Sequence, residues 1–154
     1  MKKVLFPIVF LFIFLTGFDH AENLEITKIE TTVDEANHEL RYDFEIKNNG
    51  NEPIKSEFDY PGSHPYGIEL VVKPNEELAG LMEMEENTKH QKMLSLSSGS
   101  RGFFEPNSES YFYVSYQIKN GANFAKVKKH ALDSTLLILD GVEVSAEFPL
   151  QNIK

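Results

Sequence analysis

The chain has 154 residues, 41% of them hydrophobic, a formal charge of −9 and no cysteine. That length suits one domain with a core large enough to stand without staples, and the missing cysteines exclude disulfides and thiolate metal sites. The acidic charge argues against nucleic acid as a partner, because phosphate backbones are repelled, and it helps to keep a protein in solution.

At the N-terminus, Lys2 and Lys3 precede an unbroken apolar run over residues 4–15, followed by Thr16 and Gly17. A charged n-region before an apolar h-region is the grammar of a secretory signal. The expectation is a signal peptide over residues 1–21, a single domain over 22–154, and a product that is secreted or held at the cell surface. The stretch over residues 4–18 is shorter than the ~20 apolar residues that a spanning helix needs, and Pro7 and Gly17 weaken it as a permanent span. Retention as an uncleaved N-terminal anchor is the alternative, and the expected route to a membrane. No cysteine follows the run, so a lipid-modified cysteine is excluded.

Beyond Ala21 a period of two dominates. Residues 24–32 read as an opening strand whose alternation breaks at Ile29, a sign of a bulge. Leu40, Tyr42, Phe44 and Ile46 share one face of the next strand, and Arg41, Asp43, Glu45 and Lys47 share the other. The run from Asn48 through Gly50 to Pro53 has turn chemistry. Ile54, Ser56, Phe58 and Tyr60 then resume the pattern, which predicts an antiparallel hairpin. Tyr66, Ile68, Leu70 and Val72 form another alternating run, stopped at Pro74.

Asn75 is placed to cap a short helix with Glu76 and Glu77 in its first turn, although Gly80 weakens it. Residues 83–87 are acidic but lack the spaced ligands and central glycine of a calcium loop, so a solvated charged loop is expected. Phe112, Val114, Tyr116 and Ile118 alternate again, and Tyr111 and Tyr113 point the opposite way. Residues 123–132 have helical spacing. Asp140-Gly141 predicts a two-residue type I′ hairpin with Leu139 opposite Val142 and Leu137 opposite Val144. Residues 136–139 are all apolar, so both faces of that strand are expected to be buried. In that register Leu136 and Ile138 need cover from residues 123–132 or from a partner. The whole predicts a mostly β fold: an immunoglobulin-like antiparallel β-sandwich of about seven to nine strands with one or two short helices.

The run from Phe44 through Asn48, Asn49 and Gly50 to Ile54 resembles the strand, turn and strand of secreted bacterial immunoglobulin-like domains. An exported domain without cysteine is also similar to secreted proteins of Gram-positive bacteria, which commonly lack disulfides. Phe58, Gly62-Ser63, Tyr66 and Ile68 are similar to a pattern in the intracellular proteinase inhibitor family of bacilli. Residues 104–112, with Pro106 and Tyr111, resemble the proline turn and strand that follow in such domains. The resemblance implies the sandwich fold, and proteinase inhibition as an alternative function.

No nucleophile elbow, phosphate loop, dinucleotide fingerprint or zinc-protease helix is present. His20, His38, His64, His90 and His130 are scattered, and no second histidine lies at metal-ligand spacing. The sequence implies no cofactor, no metal and no enzyme. The best candidate for recognition is the segment Tyr60, Pro61, Gly62, Ser63, His64, Pro65 and Tyr66. Pro61-Gly62 suits the centre of a type II turn, and Pro65 restricts His64 to extended backbone. A stiff loop flanked by aromatic rings loses little entropy on binding; the alternative is an ordinary connection with its tyrosines packed on a sheet. The expected function is that of an exported, non-enzymatic β-sandwich binding a protein or glycan at the cell envelope. A secreted proteinase inhibitor and a cell-wall hydrolase are the alternatives.

Overall fold

A computed structural model describes residues 21–56, 68–86, 88–99 and 103–153. Residues 1–20 of the expected signal over 1–21, and the segment 57–67, lie outside these residues. Nine strands dominate the described part, all paired antiparallel. A four-stranded sheet runs in the order β1 (Leu24–Asp34), β2 (Glu39–Asn48), β7 (Ser108–Gln117), β5 (Ser95–Gly99). A three-stranded sheet runs β4 (Ile68–Pro74), β8 (Ser134–Asp140), β9 (Glu143–Pro149), and β3 (Ile54–Lys55) pairs with β6 (Phe103–Phe104).

Alternation decides which side chains go inward. On β2, Leu40, Tyr42, Phe44 and Ile46 are buried while their neighbours are half-buried. β7 answers with Phe112, Val114 and Tyr116, and the other sheet adds Ile68, Val72, Leu136 and Ile138 to the same core. Each such side chain contributes roughly 1.5–3 kcal/mol by leaving water. Two buried hydroxyls are satisfied by backbone. Tyr42 donates to the Ala131 carbonyl at 2.7 Å, and Tyr116 accepts from the Val72 N–H at 2.8 Å, tying β7 to β4 across the core. Burial pushes both phenols above the usual tyrosine range.

Both short helices form, the first behind its expected cap and the second within the segment of helical spacing. Asn75 accepts from the Leu78 N–H at 2.8 Å at the start of α1 (Glu76–Ala79). Asn123 accepts from the Lys126 N–H at 3.0 Å at the start of α2 (Phe124–His130), whose Val127 is buried in the core. No helix among the described residues is long and apolar enough to cross a membrane.

Three local expectations are corrected. The first is the hairpin from residues 40–47 into 54–60. The partners of β2 are β1 and β7, and β3 pairs with β6 instead. The Asn48–Pro53 connection is a crossover fixed by the buried Asn48, whose amide donates to the carbonyls of Glu52 at 2.8 Å and Phe104 at 3.3 Å. Alternation specifies a strand's faces but not its neighbours. The second is the bulge of β1, which sits between Ile26 and Lys28, where Thr27 donates to the Glu45 carbonyl at 3.2 Å. The third is the final hairpin. Asp140 pairs with Glu143 and Leu139 with Val144, so Gly141-Val142 is the turn. Gly141 has φ 61° and Val142 is not in the left-handed region, the pattern of a type II′ turn with glycine first.

A bulge between Ile138 and Leu139 then sets Ile138 opposite Ala146 and Leu136 opposite Phe148, in place of Glu143 and Ser145. Leu136 and Ile138 enter the main core. Leu137 and Leu139 join Val71, with Val144 packed against them, in a second small cluster on the outer side of the three-stranded sheet. Both faces of β8 are buried, as expected. Met84 is bridged to Met93 as a short ribbon, whose described residues reach this outer side. There Lys92 bonds Glu69 at 2.7 Å, and His90 Nε2 lies 3.4 Å from the Val142 carbonyl oxygen.

Candidate functional site

Tyr60, Pro61, Gly62, Ser63, His64, Pro65 and Tyr66 lie outside the described residues. The flanks of this segment are described, and they converge. Ser56 hydrogen-bonds the carboxylate of Asp140, and Ile68 is the strand partner of the same Asp140. The described residues on either side of the segment therefore meet at one point, the end of β8.

The described surface offers another concentration of recognition chemistry, the outer face of the four-stranded sheet. It is built by the residues that alternation turns away from the core. Strand register sets them in two rows across three strands: Tyr111, Glu45 and Lys28 in one, Tyr113, Asp43 and Glu30 in the other. Tyr111 is 65% exposed. Together with Arg41 these groups line a shallow groove of about 320 Å³.

The polar groups of the face hold one another. Arg41 Nε and Nη2 donate to the Asp43 carboxylate at 2.9 and 2.6 Å, a two-pronged, charge-assisted contact. The same guanidinium carbon lies 4.1 Å from the centroid of the Tyr113 ring. Lys28 meets Glu30 at 2.8 Å and Glu45 at 3.6 Å. Hydrogen bonding to Asp43 raises the Arg41 guanidinium further above its ordinary value. Hydrogen bonding to Glu30, then the charges of Glu30 and Glu45, raise the Lys28 ammonium. Tyr113 is also braced from the edge strand. Gly99 on β5 is its direct strand partner, and a Cβ at Gly99 would collide with Cε1 of the ring. The glycine leaves a gap over which the tyrosine lies.

The remaining polar residues stay apart. The Nδ1 atom of His38 is buried without a hydrogen-bond partner among the described residues, and its ring meets Phe124 edge-on at 5.3 Å. His130 Nδ1 bonds Asp133 at 2.7 Å beyond the end of α2. That bond, with a second from Gln151, holds the Asp133 carboxyl below its ordinary range. The backbone N–H groups of Glu83 and Glu85 bond the carbonyls of Gln117 and Lys92, which places the acidic stretch in the ribbon. Among the described residues, no three His, Asp or Glu side chains gather as a metal site.

Two halves of the outer face are visible in the sequence: the polar side of residues 41–47, and the tyrosines opposed to Phe112. What local pattern does not carry is their adjacency, since Asp43 and Tyr113 become neighbours only when β2 pairs with β7. No protein family, curated protein or solved structure matches the chain. The geometry and the sequence are the grounds for a functional reading.

Proposed function

We propose that this protein is an exported β-sandwich of immunoglobulin-like architecture that binds a protein or glycan at the cell surface, without chemistry of its own, through the outer face of its four-stranded sheet. Export rests on the charged and apolar pattern of residues 1–21. The immunoglobulin-like reading rests on two antiparallel sheets sharing one core, with the chain passing between them after β2, β4 and β7. The observation that carries the binding role is Tyr111. It holds a large ring in water at 65% exposure, beside charged side chains fixed by mutual ion pairs. A rigid aromatic among pre-positioned polar groups binds at low entropic cost.

Crosslinking on intact cells tests this. A partner captured by the wild-type chain should be lost with Tyr111→Ala, which removes about 2 kcal/mol or more of binding if the ring is an anchor. Capture that survives Tyr111→Ala but disappears with Tyr60→Ala or Tyr66→Ala moves the site to the Tyr60–Tyr66 segment.

A further inference from the structure

We propose that the ligand of the outer face is an uncharged glycan, with Tyr111 as the stacking platform and Asp43, Arg41 and Glu45 as the hydroxyl-reading groups. This rests on the binding role proposed above and names the chemistry of its partner.

Charge decides first. The two cations of the groove are already paired, Arg41 with Asp43 and Lys28 with Glu30 and Glu45. Each positive charge is already offset by a carboxylate, so a phosphate or carboxylate gains little from either, and the chain as a whole carries −9. An anionic polymer would meet three carboxylates in the groove and general repulsion beyond it. A cationic peptide would have to displace Lys28 or Arg41 from its partners. A neutral ligand faces neither obstacle.

Shape and chemistry decide next. The groove is shallow and open, and its ring-bearing wall comes from tyrosines rather than from an aliphatic pocket that would seat a hydrophobic anchor. Tyr111 and Tyr113 are two residues apart on one strand, so they lie roughly 7 Å apart along it. The C–H groups on one face of a sugar ring carry weak positive charge, and the face of a tyrosine ring is its negative side. Arg41 lies over Tyr113, which leaves Tyr111 as the exposed ring. The polar rows begin directly across from these rings, with Glu45 opposite Tyr111 and Asp43 opposite Tyr113. Sugar hydroxyls donate and accept at once, so neighbouring hydroxyls suit a carboxylate beside a guanidinium, and pairs already locked together need little reordering.

The test uses purified full-length chain and soluble neutral oligosaccharides, built from hexose or N-acetylhexosamine units, with polyphosphate as the charged comparison. Binding is followed by backbone amide shifts in NMR spectra. The expected result is saturable binding of a neutral oligosaccharide with shifts centred on residues 41–45 and 111–113, and none of polyphosphate. Affinity should fall about tenfold or more in Tyr111→Ala and in Asp43→Asn, with the melting temperature of Tyr111→Ala unchanged. Binding that survives both substitutions overturns the site. Failure of every neutral oligosaccharide, while cell crosslinking still captures a protein in a Tyr111-dependent way, overturns the glycan and leaves the binding role standing. Failure of both experiments overturns the two together.

Discussion

The two sides of β7 carry the same residue type in opposite circumstances. On the inner side Tyr116 is almost fully buried, its hydroxyl accepts from the Val72 backbone, and its ring meets that of Tyr42 edge-on at 6.1 Å. On the outer side Tyr111 stands 65% exposed, and Tyr113 is held between a glycine-made gap and a guanidinium. The inner pair joins the two sheets, so its rings and hydroxyls contribute to folding. On the outer side, Tyr111 adds contact area that folding does not require. A large ring kept in water without a structural return is where a binding surface is sought.

The largest expected difference between the sides lies on β2. Phe44 is 1% exposed, and Phe44→Ala should cost about 3–5 kcal/mol through lost burial and the cavity left behind. Its outward neighbour Glu45 should cost less than about 0.5 kcal/mol as alanine, since a part-exposed ion pair contributes little. Chemical denaturation of both variants checks this, and equal losses would mean that the faces do not differ as described.

How much of this was legible in sequence differs between the sides as well. Inward residues announce themselves, because Leu40, Tyr42, Phe44 and Ile46 keep a strict period of two; the cap Asn75 announces its helix, and Phe124, Val127 and Ala131 announce the second by their spacing. The mostly β class follows from such signals. Strand partners do not follow. Asn48 and Gly50 carry turn chemistry whether the chain doubles back or crosses to another sheet. Leu139 and Asp140 differ by one residue as hairpin ends, and the bulge between Ile138 and Leu139, which sets Leu136 opposite Phe148 rather than Ser145, has no local signal. The edge strand β5, with Ser95, Ser97 and Ser98, has no apolar alternation and left no local trace. The outer face depends on these pairings, so its parts were readable while their assembly was not.

The next contrast lies within the inner pair. Tyr116→Phe removes the acceptor of the Val72 N–H and leaves a buried donor unpaired, which should cost about 1–3 kcal/mol. Tyr42→Phe should cost about 0.5–1.5 kcal/mol, because Ser134 also donates to the Ala131 carbonyl, at 2.5 Å, and keeps it satisfied. Reversed costs would show that Tyr116 does not tie the sheets. Alkali gives a second measure. Both phenols are pushed up by burial, so their neutral forms add stability that is fully present below the unfolded tyrosine pKa of about 10 and lost as pH rises beyond it. Wild-type stability should fall above about pH 10, less steeply in the Tyr42→Phe, Tyr116→Phe double variant. An unchanged slope would show that neither phenol is kept neutral by the core.

On the outer side Gly99→Ala probes the brace of Tyr113. The new methyl collides with the ring, which must swing outward since the backbone of a paired strand cannot move freely. The cost should be about 1 kcal/mol, at the low end for overpacking, because a surface ring has somewhere to go. Its NMR signature should be displaced Tyr113 ring resonances and loss of the contact to Arg41. Unmoved resonances would show that the ring does not lie over Gly99.

The smallest contrast separates the two outer tyrosines. Tyr113→Ala removes the stack under Arg41, worth about 0.5–1 kcal/mol at an exposed site, and uncovers Gly99. Arg41 keeps its two-pronged contact with Asp43, so the loss should stop there. Tyr111→Ala removes a ring that is mostly in water and should change stability by less than about 0.5 kcal/mol. Thermal melts of the two variants beside wild type measure the difference. If Tyr111→Ala costs as much as Tyr113→Ala, the exposed ring is part of the sheet's own packing and the argument for a ligand platform fails. If it costs nothing while binding is lost, folding and recognition are carried by opposite sides of the same strand.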